Sequence, residues 1–354
     1  MRQANVLVTG AGSILGQGII KSLKLSNVQH PRPVAYNILA ADMSPQAAGI
    51  YRCSKAFLIS APSEPDYGDR IVQICRENGV DAVFAGTDEE LLPLALLKDR
   101  IKKESGATVI TNPVDVIMMA SDKWATYEYL TKNRLSCAQS SLPEGKDEFV
   151  GKFGYPIVVK PRQGYGSLHF YVVRNNDELQ RAISAIEAAG WQPILQEYLD
   201  GIDNEFTSGI TVDVNDAAVM SSISMKKTLK NGQTYKAFID DFDSVRSSAR
   251  EVALKVGAVG PVNIQAKLVD GDPTVFEINA RFSATCPIRA AAGINEPDIV
   301  FRNMVMGEKI HLHSYLKMVC MRYWSEVYVP MSTYEQVCSV KSIQNPDSKV
   351  LSYF

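Results

Sequence analysis

The residues best suited to chemistry lie in Glu277-Ile278-Asn279-Ala280-Arg281, which continues the strand-like stretch Thr274-Val275-Phe276-Glu277-Ile278-Asn279. Alternate residues of a strand share a face, so Glu277, Asn279 and Arg281 are expected to line one side. A carboxylate beside an amide oxygen suits a hard cation such as Mg²⁺ bridging phosphates, and a neighbouring guanidinium suits phosphate oxygens. Gln265, alternating with Asn263 and Lys267 on an earlier strand, offers another oxygen for a metal; a buried structural amide explains it equally well. Upstream, Lys160 ends the apolar run Pro156-Ile157-Val158-Val159. An ammonium on a largely buried strand is unfavourable unless it meets an anion or snorkels to water. Gly164 and Gly166 follow in Arg162-Gln163-Gly164-Tyr165-Gly166-Ser167, a loop able to fold over phosphates.

Weaker signals stand between and before these. Gln196-Glu197-Tyr198-Leu199 ends a strand and Glu205 comes shortly after. Backbone groups of such a connector can read an adenine edge, and a carboxylate suits ribose hydroxyls; an acidic surface turn is the plainer explanation. Lys226, Lys227 and Lys230 read first as a solvated hairpin. Thr9-Gly10-Ala11-Gly12-Ser13-Ile14-Leu15-Gly16 lies between a strand and a helix, where helix amides can hold an anion. Its spacing is G-x-G-x-x-x-G and not the dinucleotide fingerprint, so a turn that binds no nucleotide is favoured, with Asp42 as the alternative ribose acceptor. Thr87-Asp88-Glu89-Glu90 follows a strand at 82–85 and should face the site, touching a bound ligand, unless it is only an acidic helix start.

The elements that must position these groups fall into two patterns. Strands at 5–9, 37–42, 56–59, 82–85 and 108–110 alternate with helices at 16–25, 67–78 and 89–104, which implies a parallel sheet covered on both faces. Helices over 112–133 carry Asp122-Lys123, and 140–145 reads as a linker. After a strand at 170–173 and a helix at 177–189, strands dominate: 193–198, 206–212, 217–220 and 262–269, interrupted by a helix at 244–257. The tail holds one strand candidate at 320–329; Arg322, Tyr323, Trp324 and Glu326 could line a substrate pocket or finish the core, and the core is favoured.

At 354 residues the chain calls for two or three compact units. A formal net charge of −2 gives no argument for nucleic acid or an anionic membrane as partner. Six scattered cysteines without C-x-x-C spacing, four histidines and an N-terminus running straight into a strand predict reduced thiols, no zinc site, no signal peptide and a cytoplasmic protein. No apolar run approaches the length of a membrane span.

In this order the motifs resemble the ATP-grasp superfamily, specifically the group similar to the large subunit of carbamoyl-phosphate synthase, over residues 5–281. The resemblance implies α/β plus α+β architecture: a Rossmann-like pre-ATP-grasp domain (1–111), a small lobe (112–195), a large lobe with the Mg-ATP site (196–311) and a C-terminal extension (312–354). It implies ATP and Mg²⁺, or Mn²⁺, as cofactors. Lys123 and Lys160 would contact nucleotide phosphates under a flap of Gly164, Gly166 and Ser167. Glu197, Tyr198 and Leu199 would form the adenine hinge, and Glu205 would hold the ribose. Glu277, Asn279 and Gln265 would be metal ligands. Arg281 and one of Lys226 or Lys227 would contact the transferring phosphoryl group. Two positions depart from the pattern: Leu168-His169-Phe170 replaces a further glycine, and Lys226-Lys227 stands where arginine is common. The implied activity is a carboxylate–amine ligase that forms an acyl-phosphate and releases ADP, acting on a small-molecule carboxylate and amine, with a homodimer as the commonest arrangement. A non-catalytic nucleotide-binding relative and an NAD(P)-dependent oxidoreductase are the alternatives. With no biotin-attachment motif and no second ATP-grasp half, full carbamoyl-phosphate synthesis is not expected.

Overall fold

The computed structural model describes residues 2–29, 33–164, 168–201 and 204–351. The first third runs β1 (Arg2–Val8), α1 (Ile14–Val28), β2 (Val34–Asp42), β3 (Lys55–Leu58), α2 (Tyr67–Asn78), β4 (Ala82–Phe84), α3 (Asp88–Ser105) and β5 (Thr108–Ile110). Val6, Leu7 and Val8 are all buried, as a strand covered on both faces requires. The five strands are parallel in spatial order β3-β2-β1-β4-β5. Ser13 caps α1 by accepting from Gly16 N, and left-handed Gly79 and Gly106 end α2 and α3.

Next come α4 (Val114–Ser121) and α5 (Lys123–Lys132), which meet at Asp122; its carboxylate accepts from the backbone of Trp124 and Ala125. They lead to β6 (Ser140–Ser141), α6 (Lys146–Phe153), β7 (Ile157–Pro161), β8 (Tyr171–Val173), α7 (Asn176–Ala188) and β9 (Pro193–Glu197). These strands form an antiparallel sheet, β6-β9-β7-β8. Leu179, Ile183 and Ile186 of α7 pack on Ile157, Val159 and Leu195. The stretch expected as a linker at 140–145 is instead structured: Ser140-Ser141 pairs with Gln196-Leu195, and a single 3-10 turn follows.

The remainder comprises β10 (Glu205–Val212), β11 (Val219–Lys230), β12 (Gln233–Ile239), α8 (Asp243–Lys255), β13 (Gly260–Val269), β14 (Asp272–Asn279), α9 (Cys286–Ala291), α10 (Glu296–Met306), β15 (Met318–Met321), α11 (Met331–Val340) and β16 (Ser342–Gln344). An antiparallel sheet runs β14-β13-β10-β11-β12-β15. The lysine run is a hairpin, as expected, but only partly solvated: Lys230 is exposed while Lys227 is buried. Lys226 and Lys227 lie inside β11, and Asn231-Gly232, both at positive φ, make the two-residue hairpin turn into β12.

The tail also differs from expectation. The strand covers only 318–321, while Tyr323 and Trp324 are exposed and finish no core. β16 returns to pair antiparallel with β3, closing an edge of the first sheet. The expected boundary at 195/196 falls inside β9, and 312–354 contributes a strand to each of two sheets. Helices α9 and α10 pack on α1, and Tyr36 Oη donates to Asp298 Oδ1 at 2.8 Å beside the Phe301 ring. This shared core fixes the start of α3 against the end of β14.

Candidate active site

The three sheets surround a cavity of about 800 Å³. From β7, Lys160 reaches it as a buried side chain, donating to Gln196 Oε1 at 2.8 Å and lying 6.0 Å from the Phe276 ring centre. Burial pushes its ammonium down to about 8, against the counter-pull of Glu277. From the first turn of α5, Lys123 donates to Gly164 O at 3.1 Å. Burial lowers its pKa too, with Glu277, Asp122 and Asp88 opposing. Arg162 holds Asp122 with a shortest contact of 2.6 Å, so the cap that starts α5 is itself braced. Gly166 and Ser167 lie outside the described residues.

The β14 register explains how so many groups meet here. Gln265 pairs with Glu277 but Ala266 pairs with Val275, so Phe276 is an extra residue. The bulge breaks strict alternation, and Phe276 and Glu277 both line the cavity with Asn279 and Arg281. Glu277 Oε1 accepts from Asn279 Nδ2 at 2.8 Å and Gln265 Nε2 at 2.9 Å. Glu277 Oε2 and Asn279 Oδ1 then have no hydrogen-bond partner among the described residues. Burial alone would raise the Glu277 pKa, but Lys123, Lys160, Asn279 and Lys227 together hold it below the usual range. Neither Lys123 nor Lys160 comes within ion-pair distance of it. Two cations and one anion therefore converge without neutralising one another by contact.

Lys227 is the lysine that enters. It is buried, ion-paired with Glu205 Oε1 at 2.7 Å and hydrogen-bonded to Gln265 Oε1. Lys226 points to the other face, over the Phe238 ring at 5.7 Å, and does not line the cavity. Gln265 is shared: one lone pair of its oxygen is taken by Lys227, leaving one for a cation.

At one end, Glu197 Oε1 accepts from Gln139 N at 2.7 Å, fixing the connector. Lys267 Nζ donates to Leu199 O at 2.9 Å and sits 5.8 Å from the Tyr198 ring centre. At the other end, Arg281 is not free. Its Nε and Nη2 grip Asp88 at 2.8 and 3.1 Å, and Nη1 donates to Phe282 O at 3.0 Å. Asp88 thus orients the guanidinium while leaving two of its five N–H groups for a ligand. Burial would raise the Asp88 pKa, but Arg281 overcomes it and holds the carboxyl below its ordinary value.

Sequence reasoning missed several contributors. Arg289 is wholly buried, paired with Glu296 Oε1 at 3.0 Å, and donates to Asn263 Oδ1 at 2.6 Å and Thr207 Oγ1 at 3.0 Å. Asn263 and Thr207 form part of the cavity floor. Gly209 makes room for the pair: a Cβ there would stand 1.8 Å from Glu296 Oε1 and 2.1 Å from Arg289 Nη1. The alternation Asn263, Gln265, Lys267 was the available signal for one wall; nothing local marked Arg289 or the Phe276 bulge.

The opening glycine turn is packed, not open. Asp42 Oδ2 accepts from Gly12 N at 2.7 Å and Oδ1 from Ser44 N at 2.9 Å, so it is unavailable to a ribose. A Cβ on Gly12 would meet the Ala47 Cβ at 2.7 Å, which fills the space a pyrophosphate needs. The nicotinamide alternative loses its binding site.

Comparison with known proteins agrees with this geometry. An ATP-grasp domain family matches residues 120–285, and a PylC-like N-terminal domain family matches residues 6–110. The carbamoyl phosphate synthase large chain of Helicobacter pylori is 24% identical over 73% of this chain, which spans about a quarter (25%) of that relative's length. Among solved structures, N5-carboxyaminoimidazole synthetase from Staphylococcus aureus complexed with ADP superposes at TM-score 0.72, covering 91% of this chain and 83% of its own at 16% identity. The biotin carboxylase domain of Hydrogenobacter thermophilus 2-oxoglutarate carboxylase, in complex with MgADP, ADP and bicarbonate, superposes at 0.67, covering 92% and 79% at 19% identity. Fold and domain matches agree: residues 120–285 form an ATP-grasp domain behind a PylC-like N-terminal domain over residues 6–110.

Proposed function

We propose that this chain is an ATP-dependent carboxylate–amine ligase. The observation that carries the reading is the convergence of buried Lys160 and half-buried Lys123 on Glu277 and Asn279, whose outer oxygens have no partner among the described residues. Uncompensated buried ammonium groups are unfavourable unless an anion completes them, and a polyphosphate is an anion of suitable charge. Glu277 Oε2 and Asn279 Oδ1 are hard donors fit for Mg²⁺ or Mn²⁺. The described residues hold no cluster of three His, Cys, Asp or Glu for a metal, which suits an ion bound largely by substrate phosphates. Glu277 and Asn279 would hold the ion, which would supply positive charge against the phosphates.

In this reading, adenine lies against Glu197, Tyr198 and Leu199, and the ribose at Glu205. Lys123 and Lys160 hold phosphates beneath the loop from Gly164 onward. A carboxylate oxygen of the first substrate attacks the γ-phosphorus and ADP leaves; an amine nitrogen then attacks the acyl carbon and phosphate leaves. The chain's own work is positioning and electrostatics: Arg281, held by Asp88, and Lys227 face the charge that builds during transfer. The division into a first domain, two lobes and a C-terminal segment, a cytoplasmic setting and a homodimer belong to the same proposal. The free state of all six cysteines supports the second of these. Thermal shift with MgADP against NADPH tests the class of ligand: stabilisation by MgADP alone is expected, and stabilisation by NADPH alone would overturn it.

A further inference from the structure

Arg322 follows β15 and reaches the cavity wall, donating through Nη1 to Thr234 O at 3.1 Å and through Nη2 to Ala284 O at 2.7 Å. Both partners are neutral carbonyls. Among the described residues no carboxylate lies within ion-pair distance of it, and three of its five N–H groups remain. Glu89, at the start of α3, lines the same cavity and has no hydrogen bond or ion pair among the described residues. The two charges are opposite, yet they do not pair with each other. Both belong to the end where the first domain meets the large sheet, beside Arg281 and Thr285 and away from the Glu197–Leu199 connector. Neither is needed for the nucleotide, whose charges are met by Lys123, Lys160 and the metal ligands.

An unpaired guanidinium and an unpaired carboxylate flanking one space form a complement to a zwitterion. We propose that the amine substrate is an amino acid, its carboxylate gripped by Arg322 and its ammonium drawn to Glu89. The proposal rests on the ligase reading for which substrate occupies this end, but its binding site is defined by Arg322 and Glu89 alone. It also gives the tail a task, since a residue beyond the large lobe would select the acceptor.

The test is ligand-observed NMR of the common L-amino acids with the full chain in MgADP, followed by titration of each binder. Every binder is matched with its carboxamide, which lacks the carboxylate, and its N-acetyl derivative, which lacks the ammonium. At least one amino acid should bind, and each derivative should bind about tenfold or more weakly. Arg322→Gln should weaken the amino acid by a similar factor while the Kd for MgADP stays within about twofold; Glu89→Gln, at an exposed position, guards against misfolding and should weaken it too. No binding by any amino acid, equal binding of the carboxamide, or indifference to both substitutions would overturn the proposal. Failure of MgADP itself to bind would instead refute the nucleotide reading, so the two failures are distinguishable.

Discussion

Raising the pH from 7 to 9 should loosen ADP chiefly through Lys160. Its ammonium is pushed down to about 8 by burial. Phosphate binding favours the charged form, so affinity is set by the fraction protonated in the free protein. That fraction falls from about nine-tenths at pH 7 to about one-tenth at pH 9, a loss of about tenfold, or about 1.4 kcal/mol. The nucleotide's terminal phosphate, with a pKa near 6, is almost fully ionised across the range and adds little. Calorimetric titration of MgADP at pH 7, 8 and 9 reads the effect directly. Lys160→Met should bind weakly at every pH and lose the slope. The same burial predicts a cost to the fold: with its folded pKa below the unfolded 10.5, Lys160 destabilises the protein fully below pH 8. The penalty disappears as pH rises from 8 through 10.5. A drop from 10.5 to about 8 corresponds to about 3 kcal/mol, less about 1 kcal/mol for leaving Gln196 Oε1 unpaired, so Lys160→Met should unfold no more easily than wild type at pH 7. A flat affinity from pH 7 to 9, or a sharp loss of stability in Lys160→Met, would refute the reasoning.

Other outcomes follow from the same geometry. Lys227→Ala should lower turnover by about tenfold or more, because Glu205 and Gln265 lose their shared cation, whereas Lys226→Ala should leave it within about twofold; steady-state ADP release compares them. Asp88→Asn should cost about 2 kcal/mol in urea unfolding at pH 7 by breaking the grip on Arg281. Because the Asp88 carboxyl titrates below its ordinary value, wild type should lose this advantage as pH falls below about 4, and the variant should not. Gly209→Ala should destabilise by about 3 kcal/mol or more, or prevent folding, since its methyl would overlap the Arg289–Glu296 pair; circular dichroism melting reports it.

Much of the positioning framework was readable because local signals agreed with the fold. The helix at 67–78 and the strand at 108–110 matched to the residue, since apolar periodicity and a terminal glycine said the same thing. Lys160 was conspicuous as a charge closing a buried strand. What was hidden depended on partners distant in sequence. Lys226 and Lys227 looked like solvent-facing charge until Glu205 and Phe238 were beside them. β12 was harder to read because its first residues, Gln233 and Thr234, are polar and border the cavity. Arg322 could be named for a pocket or for the core but not decided between them, because its partners are backbone carbonyls of β12 and of the turn before α9. The Phe276 bulge exists only as a mismatch between two strands, which a single strand cannot display.

The central claim is that a carboxylate oxygen attacks ATP in this cavity. A substrate pair is first found by screening Mg-ATP-dependent ADP release against carboxylates and amines. The carboxylate is then supplied with ¹⁸O in both oxygens, and the released phosphate is analysed by mass spectrometry. One ¹⁸O per phosphate is predicted, with release abolished in Lys160→Ala and Glu277→Ala proteins that remain folded. Unlabelled phosphate, or near-normal release by either folded variant, would contradict the account.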